Sequence, residues 1–339
     1  MREAMFYECR KEKKISCQLC PFECLIQNGH LGRCRQRQNI DGKLYSLSYK
    51  NIASWSIDPI EKKPLYHFAP GSSTFSFGTF GCNWQCQFCC NWEISSTAPR
   101  KMQEMSPAAI VKAAIEAKCQ GISYTFTEPT IFFELSYETA KLAKRKGLYN
   151  TWVTNGWTNL KPIQTIAPYL DAVSVNLKGS AQKNFLAKFS QVPDNQPIFE
   201  SLKEYHKHGV HLEVTDLLAP GGGDSLQDVE NLVIWIFENL GADTPLHFLK
   251  FFPAYLSHST RTTPTHILKQ AYHLAKSEGL KYVYLGNLPT RENNTYCPEC
   301  GALLIEREAI GMKKNLTHNG QCPKCSNRIC LNGLNWIES

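Results

Sequence analysis

The stretch GCNWQCQFCCNWEIS at 81–95 sets Cys82, Cys86 and Cys89 in a C-x3-C-x2-C spacing, directly after the strand-like run TFSFGT at 74–79. A cube of four irons takes one protein ligand per iron, so three thiolates leave one iron open to chelate something else. An open iron points to catalysis. Two plainer readings stand beside it: three unconnected buried thiols, or a closed zinc clip completed by His67 upstream or by the adjacent Cys90.

The flanks narrow the choice. DPIEKKPLYHF at 58–68, PGSS at 70–73, CNWEIS at 90–95 and YVYLGNLP at 282–289 resemble the AmmeMemoRadiSam-system radical S-adenosylmethionine enzymes, relatives of pyruvate formate-lyase-activating enzymes. The resemblance runs over about residues 17–325. It implies a partial (β/α)6-type barrel and a 4Fe-4S cluster on Cys82, Cys86 and Cys89. It further implies S-adenosylmethionine on the open iron, cleaved by one electron to a 5'-deoxyadenosyl radical that takes hydrogen from an unidentified substrate. The partners it implies are a low-potential donor such as ferredoxin or flavodoxin, and Memo-type and AMMECR-type proteins.

A chain of 339 residues with 42% hydrophobic composition supports one large α/β core with small appended modules. Cysteine density divides it into a cysteine-rich segment 1–50, a barrel 51–290 and a zinc-ribbon-like segment 291–339. The apolar runs are too short to span a bilayer and the start MREAMFYECRKEKK is polar, so a cytoplasmic protein without membrane contact is expected. In a reducing compartment 15 cysteines argue for metal ligation over disulfides. The net charge of +7 is scattered along the chain, and no nucleic-acid partner is expected from it.

Strand-like runs at 74–79, 121–126, 150–154, 172–178, 210–217, 246–251 and 281–285 alternate with helix-like stretches. The first helix starts at Ser106-Pro107, an N-cap followed by proline at the first helical position, and the pattern stops at Gly121. Such alternation predicts a parallel sheet wrapped by helices. In such folds the residues just after each strand collect at one face.

The cysteine loop follows the first of these strands and Thr127-Glu128-Pro129 the second. The resemblance makes Glu128 a contact for the methionine amino group of the cofactor; equally, it reads as a carboxylate at a helix start. Thr154-Asn155-Gly156 and Asn176-Leu177-Lys178 resemble the DTNG and DLK patterns of glycyl-radical activases, which makes Asn155, Asn176 and Lys178 cofactor candidates. Both aspartates of those patterns are replaced, by Val153 and Asn176, which counts against the activase alternative. Glu213 and Thr215 share a strand face, and Glu213 joins the candidates as a buried carboxylate in need of a partner. His247 reads as a satisfied core histidine and PGGGDS at 220–225 as a turn and helix cap.

Two further thiol groups remain. Cys17, Cys20, Cys24 and Cys34 fit zinc or an auxiliary iron-sulfur cluster, and the spacing leaves both open. Cys297, Cys300, Cys322 and Cys325 form two CPxC knuckles, a zinc-type tetrathiolate signature. Cys90 stands where the resembling family usually has glutamine. A non-enzymatic alternative is an iron-sulfur electron carrier or a metal-stapled binding module.

Overall fold

The computed structural model of the chain describes residues 1–96, 102–308 and 310–337. Residues 309 and 338–339, inside the expected C-terminal segment, lie outside the described residues. The centre is an eight-stranded sheet of β1 (Ser54–Pro59), β2 (Ser73–Gly78), β3 (Gly121–Tyr124), β4 (Tyr149–Thr154), β5 (Ala172–Lys178), β6 (His211–Leu218), β7 (Leu246–Lys250) and β8 (Val283–Gly286). The strands lie in sequence order. β1 pairs antiparallel with β2 and every later pair is parallel. Helices connect the parallel strands: α1 (Trp92–Ser95), α2 (Pro107–Glu116), α3 (Phe133–Arg145), α4 (Leu160–Ile166), α5 (Lys183–Ser190), α6 (Gln196–Lys207), α7 (Leu226–Leu240) and α8 (Thr265–Ser277). The caps follow the sequence chemistry. Ser106 accepts from Ala109 N at 3.2 Å and Ser225, at the end of the PGGGDS turn, accepts from Asp228 N at 3.3 Å.

Alternation along each strand sorts the side chains by face. Phe75, Phe77, Ile122, Val173, Val175, Leu212, Val214 and Phe248 belong to the core shared with the helices. Thr74, Ser76, Ser123, Thr151, Ser174, Glu213, Thr215 and His247 occupy the alternate positions and are buried too. The inner face is therefore polar, with Thr74, Ser123 and Thr151 hydroxyls in sequence at 2.8 and 2.6 Å.

β1 and α5 are among the elements that escape the sequence reading. β1 is an edge strand whose Trp55 and Ile57 are exposed, so it lacks a buried apolar repeat. α5 has only eight residues and merges in the sequence with the connection to α6. The helix expected to run to Gly121 instead ends at Glu116, and Gly121 opens β3.

The N-terminal segment forms two small three-stranded antiparallel sheets, Tyr7–Cys9 with Ile15–Cys17 and Leu25–Ile26, and Arg2–Glu3 with Lys43–Ser46 and Arg37–Ile40. Its Ile15, Leu19, Ile26 and Leu44 lie in the same hydrophobic core as the barrel. A buried pair, Arg37 to Glu134 at 3.0 Å, ties it to α3. The C-terminal strands Thr295–Tyr296, Leu303–Glu308 and Gly311–Asn315 form a separate antiparallel ribbon against the barrel floor. There Arg307 donates to the Tyr66 carbonyl at 2.8 Å and stacks over its ring at 4.1 Å.

Candidate functional site

The chain leaves β2 at Gly78 and reaches Cys82 through Gly81, whose φ of +84° favours glycine. A β-carbon on Gly81 would stand 2.6 Å from the Cys34 carbonyl oxygen, so the cysteine loop is pressed against the N-terminal segment. The loop then turns through Cys82, Cys86 and Cys89 into α1. The backbone N–H of Trp84 points at the Cys82 sulfur at 3.4 Å, Ser190 Oγ lies 3.2 Å from Cys86 Sγ, and Ser95 Oγ lies 3.3 Å from Cys89 Sγ. Burial pushes the Cys86 thiol up to about 11, with Ser190 pulling against it, and burial likewise raises Cys82 and Cys89. Buried thiols, one of them facing a backbone N–H and two beside serine hydroxyls, fit a site in which a metal supplies the positive charge and displaces the protons.

The three thiols open onto a cavity of ≈ 230 Å³ that also takes in Glu128, Asn155, Asn176, Lys178, Cys90, Val153 and Phe126. Four of the five cofactor candidates named from sequence are therefore brought together. The fifth is not. Glu213 lies outside this cavity, where it accepts from His67 N at 2.7 Å and meets His211 Nε2 at 3.0 Å and His247 Nε2 at 2.7 Å. Burial works to raise its carboxyl, but the bonds from His211 and His247 outweigh it and hold it well below the usual carboxylate range. The partner that a buried glutamate demands is thus a histidine pair, and His247 is satisfied by the same contact.

Glu128 lines the cavity and is also the helix-start carboxylate of its plainer reading. It caps the turn Pro129–Phe132, accepting from Thr130 N at 3.1 Å and Thr130 Oγ1 at 2.6 Å. It also accepts from Thr154 Oγ1 at 2.7 Å and Asn155 N at 2.8 Å, tying the end of β3 to the end of β4. Asn155 in turn donates through Nδ2 to Asn83 Oδ1 at 2.9 Å, which couples the cofactor candidates to the cysteine loop. Lys178 bonds Asn176, and burial lowers its pKa while the nearby Cys86, Cys90 and Cys89 sulfurs oppose that.

The floor of the cavity was not legible beforehand. Phe126 takes a left-handed φ of 64° and its carbonyl accepts from Asn91 Nδ2 at 2.6 Å. Beneath its ring, at 5.2 Å, sits Lys63 Nζ, itself paired with Asp58 Oδ2 at 2.7 Å. A charge pair inside DPIEKKPLYHF is visible in sequence; its position under a phenylalanine some 60 residues on is not.

The four C-terminal sulfurs of Cys297, Cys300, Cys322 and Cys325 all lie within 4.8 Å of one another. Cys297 to Cys325 and Cys300 to Cys322 are both 3.6 Å, against the about 3.8 Å that four thiolates around one ion with metal–sulfur bonds of about 2.3 Å require. They fit a single metal ion. A larger hollow of ≈ 640 Å³ between this end and Gly71 and Gln120 carries none of the cysteines. Among the described residues no helix is long and apolar enough to cross a membrane.

Residues 77–236 match the family model of the radical SAM superfamily. The chain is 42% identical over 334 residues to an uncharacterized protein of Methanocaldococcus jannaschii, covering 97% of this chain and 99% of that one. Among solved structures it is similar to Streptococcus suis SuiB bound to S-adenosylmethionine, with a TM-score of 0.50, 12% identity, and coverage of 62% of this chain and 49% of that one. SuiB bound to precursor peptide SuiA gives a TM-score of 0.50 at 13% identity, with coverage of 67% and 51%. The chain spans about half the length of those SuiB structures, and the likeness is one of fold. From the end of β2 through the cysteine loop into α7, residues 77–236, the chain carries a radical SAM superfamily domain.

Proposed function

We propose that the chain cleaves S-adenosylmethionine reductively at a 4Fe-4S cluster on Cys82, Cys86 and Cys89 and uses the radical to take hydrogen from a substrate. The carrying observation is that these three thiols open onto the same cavity as Glu128, Asn155, Asn176 and Lys178. When bound, the cluster and its cofactor supply one electron and a breakable carbon–sulfur bond, yielding methionine and a 5'-deoxyadenosyl radical.

The chain's own residues do the rest. Asn155 and Glu128 hold the ends of β3 and β4 in register with the cysteine loop, so a bound molecule meets a fixed wall. Lys178 presents a cation within reach of the sulfurs, suited to a carboxylate. Phe88, Trp84 and Phe126 line the cavity with rings that exclude water from a radical.

The finer reading is that the enzyme works in an AmmeMemoRadiSam-type system, fed by a ferredoxin- or flavodoxin-like donor and acting with Memo-type and AMMECR-type proteins; its support is the four flanking stretches. We assign zinc to the C-terminal tetrathiolate on its two CPxC knuckles; the 3.6 Å sulfur pairs fit a single ion there. Val153 lines the cavity where an activase would carry a carboxylate, which disfavours glycyl-radical activation.

Anaerobic protein reduced with dithionite should convert S-adenosylmethionine to 5'-deoxyadenosine, and Cys86→Ala should abolish the conversion. An alanine variant that keeps both cluster and rate would overturn the reading.

A further inference from the structure

The cysteine loop has a second wall. One side opens onto the cavity that holds Glu128, Asn155 and Lys178; another lines a separate hollow of ≈ 160 Å³. Cys82, Trp84 and Ser95 belong to both, so Cys82 is reached from two directions, whereas Cys86 and Cys89 line the cavity and not the hollow.

The rest of the hollow comes from distant parts of the chain. Arg33, Cys34 and Arg35 supply it from the N-terminal segment, Gln191 from just after α5, and Tyr255 and Leu256 from the loop after β7. These pieces are fastened to the cysteine loop. Ser257 N donates to the Gln87 carbonyl at 3.1 Å, and Gln87 Nε2 donates to the Lys188 carbonyl of α5 at 3.1 Å. The Tyr255 ring stacks on Trp92 of α1, with centroids 5.2 Å apart and planes 10° from parallel. A face held on such a frame has little freedom left to lose when a partner docks on it.

Its chemistry is one-sided. The charged residues that line the hollow are both arginines. Arg33 donates through Nη2 to the Gln191 carbonyl at 2.9 Å and through Nε to the Asn83 carbonyl at 3.4 Å, and stacks over Phe22 at 4.4 Å. Arg35 donates through Nη1 to the Ser96 carbonyl at 2.9 Å. These partners are neutral, so the hydrogen bonds orient the two guanidinium groups and leave their charge unbalanced within the hollow. Beside them Leu256 is 62% exposed, and Phe252, four residues earlier on the same loop, is 52% exposed. Exposed apolar side chains next to arginines make up the surface of a protein–protein contact, and free guanidinium groups select carboxylates on the partner.

We propose that this face, with Arg33, Arg35, Tyr255 and Leu256 around the hollow, docks an acidic one-electron carrier protein whose electron enters the cluster at Cys82. The proposal rests on the radical reading of Cys82, Cys86 and Cys89 and adds the place where the electron arrives. The carrier is oxidised by one electron, the cluster is reduced by one, and no bond or proton changes hands. A carrier seated there meets the wall that Cys82 forms without entering the cofactor cavity, so carrier and S-adenosylmethionine are bound together.

The probe is an acidic ferredoxin added to the anaerobically reconstituted full chain. Binding is read by calorimetric titration, and transfer by the rate at which reduced ferredoxin bleaches the cluster's visible absorbance without S-adenosylmethionine present. Arg35→Glu and Leu256→Glu, both at exposed positions, should each weaken binding at least about tenfold and slow the reduction in step. The reference donor is the reduced methyl viologen cation, which needs no docking face and is not repelled by added negative charge; its rate should fall by no more than about twofold. Raising salt from about 50 to about 300 mM should slow the ferredoxin reaction of the unmodified chain and leave the viologen reaction nearly level, an arm that does not depend on either variant folding.

Ferredoxin binding that is unchanged in both variants, or a ferredoxin rate that ignores salt, would overturn the dock. So would equal losses for ferredoxin and viologen, which would show these residues acting on the cluster itself. A chain that binds ferredoxin through Arg35 and Leu256 but leaves S-adenosylmethionine intact under dithionite keeps the dock and loses the radical reading. One that cleaves S-adenosylmethionine under dithionite yet binds no ferredoxin loses the dock alone.

Discussion

Asn83 accepts a hydrogen bond from Asn155 Nδ2 at 2.9 Å and returns one through its own amide to the Trp157 carbonyl at 3.0 Å. Asn83 directly follows Cys82, and Asn155 follows β4, so this pair is the joint between the cysteine loop and the barrel wall.

Asn83→Ala removes one donor and one acceptor from a buried position and leaves Trp157 O and Asn155 Nδ2 short of partners. A loss of about 1–3 kcal/mol of stability is expected. The loop should also lose its register with the cavity, so S-adenosylmethionine should bind more weakly while the cluster is still assembled. Calorimetric titration of reconstituted variant protein checks both; unchanged affinity would show that the joint does not position the cofactor.

Gly81→Ala meets two obstacles at once, a φ of +84° and backbone 2.6 Å from the new β-carbon at Cys34. Backbone cannot move aside as a side-chain tip does, so the change should cost more than the about 1 kcal/mol of a simple left-handed alanine. Thermal melting should fall by several degrees, and iron retention should fall with it. Gly209→Ala is the control: φ is +69° there but nothing lies within 4 Å of the added carbon.

How far the sequence carries depends on how local the cause is. The parallel strands were legible because each is a short β-branched run bounded by turn residues, and β5 falls on 172–178 as expected. That Cys82, Cys86, Cys89, Asn155, Asn176 and Lys178 share one cavity was legible because strand ends and motif spacing are local too. Glu213 was placed correctly on the inner face and misplaced along the barrel, since alternation reports the face of a residue but not its depth. His211 sits two residues before Glu213 on the same strand β6, whereas His247 comes from β7, a pairing that only the register of the folded sheet reveals. Lys63 beneath Phe126 is hidden for the same reason.

Asp216 gives the chain a pH dependence of definite sign. Its carboxylate accepts from Ser180 N and Ser180 Oγ, both at 2.8 Å, and burial nevertheless raises its pKa to about 6. A carboxyl raised on folding contributes stability that is fully present below its unfolded value of about 4 and is lost as pH rises through about 6. Between those limits the stability of the chain relative to Asp216→Asn should decline, by at most on the order of 3 kcal/mol. Denaturant titrations of both proteins at pH 4, 5, 6 and 7 check this. A difference that stays flat, or grows with pH, would show that Asp216 remains ionised across the window.

Cys300→Ala tests the division of labour between the metals. Cys300 lies 3.6 Å from Cys322, and the ribbon they close carries Arg307, which donates to the Tyr66 carbonyl at 2.8 Å and to Thr295 Oγ1 at 2.8 Å. Removing one thiolate from a tetrathiolate opens the site, so zinc should be lost and the ribbon should become protease-sensitive. The damage should reach the barrel floor through Arg307 and Tyr66 but stop short of the cysteine loop, which touches neither. The expected outcome is a lower melting temperature, zinc absent by elemental analysis, and an iron-sulfur spectrum close to that of the unmodified chain. Loss of the iron-sulfur signal with zinc retained would reverse the assignment, making the C-terminal thiols part of the redox path and the ribbon more than a brace.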